Sequence, residues 1–235
     1  LVSSCYMKLG KYKESIETIL SFLPYAEKIN QPSMLANIYT NLGNVYNYMN
    51  RNSEAYSYYL KALDLMEKFE LISPKYVNTL NNAGIIFYSD FQSNPDKRAL
   101  IDSSIQYSNK ALMVGKKIKY DQGISMALGN IGMAYESVEE YEMALKYYLE
   151  SLEIIKKIGN QEGTAFAYNN LGYVYEKLGK YEKAIEHFET GLKMAEQLSM
   201  PDIIKDSYFG FSETYVKLGD YKKAHGNYLL YAQVK

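Results

Sequence analysis

Four asparagines recur along this chain at one place relative to a small residue. Asn41, Asn82, Asn130 and Asn170 lie two positions before Gly43, Gly84, Gly132 and Gly172. Asn81 and Asn169 precede two of them directly, and Asn37, Asn44, Asn47 and Asn78 fall on the same helical stripe or beside it. A side-chain amide carries both a donor and an acceptor, which matches an extended peptide backbone exposing N–H and C=O groups in turn. Amides repeated at one spacing can therefore grip a peptide main chain largely independently of its sequence. Asn is also a mediocre helix former, so its recurrence inside helices needs a compensating role. Bridging neighbouring helices supplies such a role as well as ligand binding does, and the residues leave both open. Tyr48, Ile85, Met126, Met133, Phe166 and Tyr173 surround the ladder with the methionine and aromatic surface that suits adaptable binding.

Other chemistries find little support. His187 and His225 lie in different repeats without a second histidine at metal-ligand spacing, which predicts no metal site and no catalysis. The glycines are scattered along the repeats and form no phosphate-cradling loop. Glu139, Glu140 and Glu142 crowd a turn and a helix start, where negative charge is favourable in any case. No enzyme activity and no cofactor are expected. The formal charge of -1, from 26 basic and 27 acidic residues, argues against a nucleic-acid surface. Lys116, Lys117 and Lys119 sit where a helix should end and complement its dipole. Cys5, the single cysteine, excludes an intrachain disulfide and suits a reducing compartment. No apolar run reaches the roughly 18 residues that a membrane span needs. Cytoplasmic placement is expected, or periplasmic placement if a signal peptide lies upstream.

The elements that must carry the amides follow from the same small residues. Ser3, Gly43, Gly84, Gly132, Gly172 and Ser212 are each followed three positions later by an aromatic: Tyr6, Tyr46, Phe87, Tyr135, Tyr175 and Tyr215. The steps are 40, 41, 48, 40 and 40 residues, a period that signals stacked repeats. In residues 161–200, Tyr168, Leu171, Gly172 and Tyr175 mark one helical stripe; Ala184, Phe188 and Gly191 mark another. Gly179 between them can take the left-handed conformation that ends the first helix. One unit is thus a helix, a tight turn and an antiparallel helix, with Gly172 and Ala184 small because the helices approach closely. The units run over 1–30 (partial), 31–70, 71–118, 119–160, 161–200 and 201–235. Pro32, Pro74 and Pro201 read as first-turn prolines, and Pro24 should kink or end the second helix of the first unit. The third unit is longer, and its Ser89-Asp90-Phe91-Gln92-Ser93-Asn94-Pro95-Asp96 run predicts a protruding loop within 89–103. The chain opens at Leu1 within a repeat and stops at Lys235 within a helical pattern, as a piece of a longer protein would.

These residues resemble the tetratricopeptide repeat, whose pattern Trp-x-x-Leu-Gly-x-x-Tyr then Ala-x-x-x-Phe appears here as Tyr168-x-x-Leu171-Gly172-x-x-Tyr175 then Ala184-x-x-x-Phe188. The unit at 31–70 matches through Tyr39, Leu42, Gly43, Tyr46, Ala55 and Tyr59, and that at 119–160 through Leu128, Ile131, Gly132, Tyr135, Ala144 and Tyr148. The period near 40 is similar to the long-repeat subclass found in kinesin light chains, spindle-orientation adaptors and bacterial peptide-pheromone receptors. The stretch Thr79-Leu80-Asn81-Asn82 looks like the kinesin light chain pattern. The resemblance implies an all-α fold, an α-solenoid of stacked antiparallel helix pairs coiled into a right-handed superhelix, with the first helices lining a concave groove.

That resemblance places Asn37, Asn41, Asn44, Asn78, Asn81, Asn82, Met126, Asn130, Met133, Phe166, Asn169, Asn170 and Tyr173 along the groove as candidate peptide-binding residues. Asp206, Glu213 and Lys217 make the far end more charged, and the carboxylate clamp of chaperone-binding members is not reproduced. The expected function is a protein–protein interaction module that takes a peptide or partner segment in the groove. A second reading is the sensory input region of a bacterial histidine kinase, cyclase or DNA-binding regulator, which the Lys217–Ala224 run also resembles. A third is a self-associating scaffold.

Overall fold

The computed structural model describes residues 2–234, leaving aside the side chains of Val2, Ser4 and Lys8. Helices follow one another in antiparallel pairs. α1 (Val2–Lys8) precedes α2 (Tyr12–Leu20) and α3 (Leu23–Lys28), which together stand as the second helix of the first unit. Pro24 lies in the first turn of α3, and the chain breaks at Ser21 and Phe22 just before it, as a residue lacking a backbone N–H requires. The next pairs are α4 (Pro32–Tyr48) with α5 (Asn52–Lys68), α6 (Pro74–Ser93) with α7 (Arg98–Ile118), and α8 (Asp121–Ser137) with α9 (Tyr141–Lys157). α10 (Gln161–Lys177) with α11 (Tyr181–Leu198) and α12 (Pro201–Lys217) with α13 (Tyr221–Gln233) complete the array. Among the described residues there is no strand. The chain is an all-α solenoid. Its packing divides between Gly123 and Ile124 into two units.

The turns inside the pairs share one construction. Seven residues after the small residue, Gly10, Asn50, Glu139, Gly179 and Gly219 all adopt left-handed φ, between 56° and 76°. The next backbone N–H then returns to the carbonyl of the recurrent aromatic: Arg51 to Tyr46, Glu140 to Tyr135 and Lys180 to Tyr175 at 2.9 Å. This is a Schellman closure, which satisfies the carbonyls left open by the helix end.

The third pair departs from the expected loop. The equivalent left-handed position is Phe91, and it stays helical, 7% exposed. An apolar ring that gains burial by continuing the helix carries α6 on to Ser93. Most of the extra residues therefore lengthen the two helices, to 20 and 21 residues against 17 for their counterparts α4 and α5. Residues 89–93 and 98–103 are helical, and only 94–97 link the two helices. Asn52 secures the extension from α5, its Nδ2 donating to Asp90 Oδ1 (2.7 Å) and Ser89 Oγ (3.1 Å).

In the pairs α4–α5, α8–α9 and α10–α11 an aromatic of the second helix presses on the glycine of the first. A Cβ at Gly132 would meet the Tyr148 ring at 2.6 Å, and one at Gly172 the Phe188 ring at 2.6 Å. Tyr59 occupies the same place against Gly43. In the lengthened pair Ser108 replaces the aromatic, and its Oγ lies 3.0 Å from a Cβ built on Gly84. One residue earlier runs a second series of rings: Tyr58 stacks on Tyr46 (5.4 Å), Tyr107 on Phe87 (5.6 Å) and Tyr147 on Tyr135 (5.6 Å).

Candidate functional site

In the first unit the amides of α4 and α6 sort into two groups. Asn44 Oδ1 accepts from Tyr59 Oη on α5 (2.8 Å) and from Asn82 Nδ2 on α6 (3.0 Å). Burial pushes the Tyr59 phenol well above its ordinary range, so it acts as a permanent donor. Asn81 is fully buried, and its Nδ2 donates to the Gly123 carbonyl (3.1 Å). Asn78 Nδ2 donates to Tyr120 Oη (3.3 Å). The Thr40 and Thr79 hydroxyls meet at 3.2 Å between α4 and α6. These groups bridge successive first helices. Asn37 and Asn41 do not: Asn37 is exposed, Asn41 half-buried, and neither amide has a hydrogen-bond partner among the described residues.

The second unit sorts in the same way. Asn169 is 2% exposed, and Ser207 Oγ on α12 shares its proton between Asn169 Oδ1 (3.0 Å) and the Ile203 carbonyl (2.8 Å). Asn130 is also buried. Met126 and Met133 are half-buried, Met133 against the core that includes Tyr148, Leu171 and Phe188. Asn170 is half-buried and makes no hydrogen bond among the described residues. The residue equivalent to Asn44 in the preceding repeat is Met133, which offers no oxygen to accept from it. Phe166, one helical turn before Asn170, is 48% exposed. Tyr173 closes the stripe, with its ring edge-on to Phe188 (5.0 Å) and its hydroxyl donating to the Asp206 carbonyl (2.7 Å).

Spacing placed the amides on the first helices of the pairs, but it could not separate those that bridge helices from those without a partner among the described residues. It also passed over two glutamates. Glu136 and Glu176 lie four residues after Gly132 and Gly172, a repeat signal present in the sequence. Glu176 is buried and paired with Lys177 (3.0 Å). Glu136 accepts from Tyr148 Oη (2.6 Å), and burial holds its carboxyl above the usual carboxylate range. Burial and the charges of Asp206, Glu136, Glu176 and Glu213 push the Tyr173 phenol up, so the stripe in this unit has an acidic setting.

The two histidines differ in setting. His187 holds the position of Tyr58 and Tyr147, its ring 4.8 Å from Tyr175 and its Nδ1 donating to the Lys183 carbonyl (2.8 Å). His225 is exposed on α13. Among the described residues no three His, Cys, Asp or Glu side chains gather to hold a metal, and no helix is long and apolar enough to cross a membrane.

Paired helices, glycines packed under an aromatic in three pairs and Schellman turns in the pairs other than α6–α7 define a helical-repeat fold of about 40 residues per unit. The fold is one of stacked tetratricopeptide-type repeats. Tetratricopeptide-repeat family patterns match residues 123–197 and 36–68. Comparison with curated proteins finds no match. Among solved structures the chain is similar to BtubC (BKLC) from P. vanneervenii, with TM-score 0.76 and 17% identity over 95% of this chain and 90% of that one. It is similar to a Rap protein complexed with Competence and Sporulation Factor, with TM-score 0.75 and 17% identity over 99% and 72%. The kinesin light chain TPR-like repeats of Podosopora anserina align with TM-score 0.65 and 12% identity over 84% and 93%. At these identities the likeness speaks for the fold.

Proposed function

We propose that this chain is a protein-interaction module that takes an extended peptide segment along the first helices of its repeats. The observation that carries the reading is the set of amides left without partners, Asn37 and Asn41 on α4 and Asn170 on α10. Each lies on a stripe at spacings of three and four residues with larger side chains, Tyr48 in one unit and Phe166 with Tyr173 in the other. A half-exposed amide in mid-helix is a poor choice for stability, and a ligand main chain supplies the donor and acceptor it lacks. The fold supports the reading, since a Rap protein of the same architecture is complexed with Competence and Sporulation Factor. The acidic setting around Tyr173 favours peptides with basic residues near that end.

The test is selection from a random-peptide display library, followed by affinity measurement on Asn41→Ala, Asn170→Ala and the double variant. One hydrogen bond contributes about 0.5–1.5 kcal/mol, so a variant that loses one contact should bind roughly two- to twelvefold more weakly with unchanged helicity. Unchanged affinity in a folded double variant, or a library that yields no binder, overturns the assignment. The scaffold reading draws on a different observation: Tyr228, Leu229 and Leu230 on α13 are 41–50% exposed. Light scattering across a concentration series tests it, and a monomer throughout removes it.

A further inference from the structure

The first unit contains a pocket of about 320 Å³ that the amide stripe does not account for. It opens between the start of α4, the end of α5 and the link into α6. Ala36 and Met66, 1% and 2% exposed, form its inner apolar wall together with Leu71. Asn37 and Lys75 are among its lining residues, and neither side chain has a hydrogen-bond partner among the described residues. Lys75 is half-buried, and its Nζ makes no ion pair and no hydrogen bond among the described residues. Glu70 also lines the pocket but is exposed and does not pair with Lys75. Desolvation holds the Lys75 amine below its ordinary value, the mark of a cation withdrawn from water without a counter-charge.

A half-buried, unpaired cation beside an apolar wall calls for an anion with a hydrocarbon body. The volume lies at the small end of the range for ligand sites. It equals roughly ten water molecules at about 30 Å³ each, which suits a ligand about the size of one amino acid. We propose that this pocket binds a small aliphatic carboxylate, with the carboxylate on Lys75 Nζ and Asn37 Nδ2 and the hydrocarbon against Ala36, Met66 and Leu71. The carboxylate can come from a free organic acid or from the C-terminal residue of a peptide. The site stands apart from the peptide stripe and shares only Asn37 with it, so the two proposals fail separately.

The experiment is calorimetric titration of the whole chain with N-acetyl-L-leucine, N-acetyl-L-leucinamide and acetyl-Gly-Gly-Leu bearing a free carboxylate. Both acids should bind, with the amide at least tenfold weaker, because a charge-assisted hydrogen bond is the stronger kind. Lys75→Met should lose the preference for acid over amide, and Lys75→Arg, which keeps the charge, should retain it. A tripeptide that binds more tightly than the acetylated amino acid identifies a chain terminus as the source; equal or weaker binding identifies a free acid. The proposal is overturned if neither acid binds, if acid and amide bind alike, or if Lys75→Met, folded by circular dichroism, keeps the preference.

Discussion

The Phe188 ring gives the sharpest test of how the repeats lock together. It is fully buried and lies between two glycines, Gly172 on α10 and Gly210 on α12. A Cβ at Gly172 would stand 2.6 Å from Cδ1 and Cε1 of the ring, and one at Gly210 would stand 2.6 Å from Cε1 and 2.9 Å from Cε2. The ring cannot retreat from one glycine without driving into the other. Gly172→Ala therefore brings the upper part of the overpacking range, about 3 kcal/mol. Against this stands the helix-propensity gain of Ala over Gly, about 1 kcal/mol. The net expectation is a loss of about 2 kcal/mol, or a fall of about 4–8 °C in melting temperature for a chain of this size. Gly226 on α13 is the control, because a Cβ there meets nothing within 4 Å. Gly226→Ala should be neutral or stabilising by up to about 1 kcal/mol. Thermal and urea melts of both variants decide the matter, with Gly172→Ala/Phe188→Leu as a rescue in which the smaller side chain makes room. Gly172→Ala melting at or above the parent temperature would refute the interlock, as would a double variant no better than the sum of its parts.

Other substitutions test other parts of the structure. Asn82→Ala breaks the bridge to Asn44 and should cost about 1 kcal/mol in urea unfolding, whereas Asn41→Ala should stay within about 0.5 kcal/mol; equal effects would contradict the sorting of bridging from free amides. Tyr173→Phe removes the donor to the Asp206 carbonyl and should lower stability by about 1 kcal/mol, measured in the same way. Glu136 gives a pH signature, since burial raises its carboxyl above the ordinary range. The folded protein then holds the proton more tightly than the unfolded chain, so ionisation costs stability above the folded-state value. That cost disappears as the pH falls into the ordinary glutamate range. Glu136→Gln, which keeps an acceptor for Tyr148, should be more stable than the parent at pH 7 and lose the advantage in mildly acid buffer; a pH-independent difference would exclude the mechanism.

Much of this architecture is legible along the chain because it depends on local rules. The left-handed turn expected at Gly179 has φ 69°, and Gly10 and Gly219 repeat it at 69° and 76°. Pro32, Pro74 and Pro201 lie in the first turns of α4, α6 and α12, where a missing N–H costs nothing. The long third unit was less legible. Ser, Asn, Asp and Pro near 89–96 signal a turn, yet Phe91 is buried and prolongs α6, a gain that no local pattern displays.

The amides mark the division most clearly. The sequence by itself determined that asparagines recur on the first helices, since a fixed period and helical spacing put them there. Only the tertiary structure decided their use, because the partners that bridge the helices come from the repeat before or after. Asn82 finds the oxygen of Asn44, and Asn169 finds the hydroxyl of Ser207. Asn170 has Met133 at the place where Asn82 has Asn44, and it makes no hydrogen bond among the described residues.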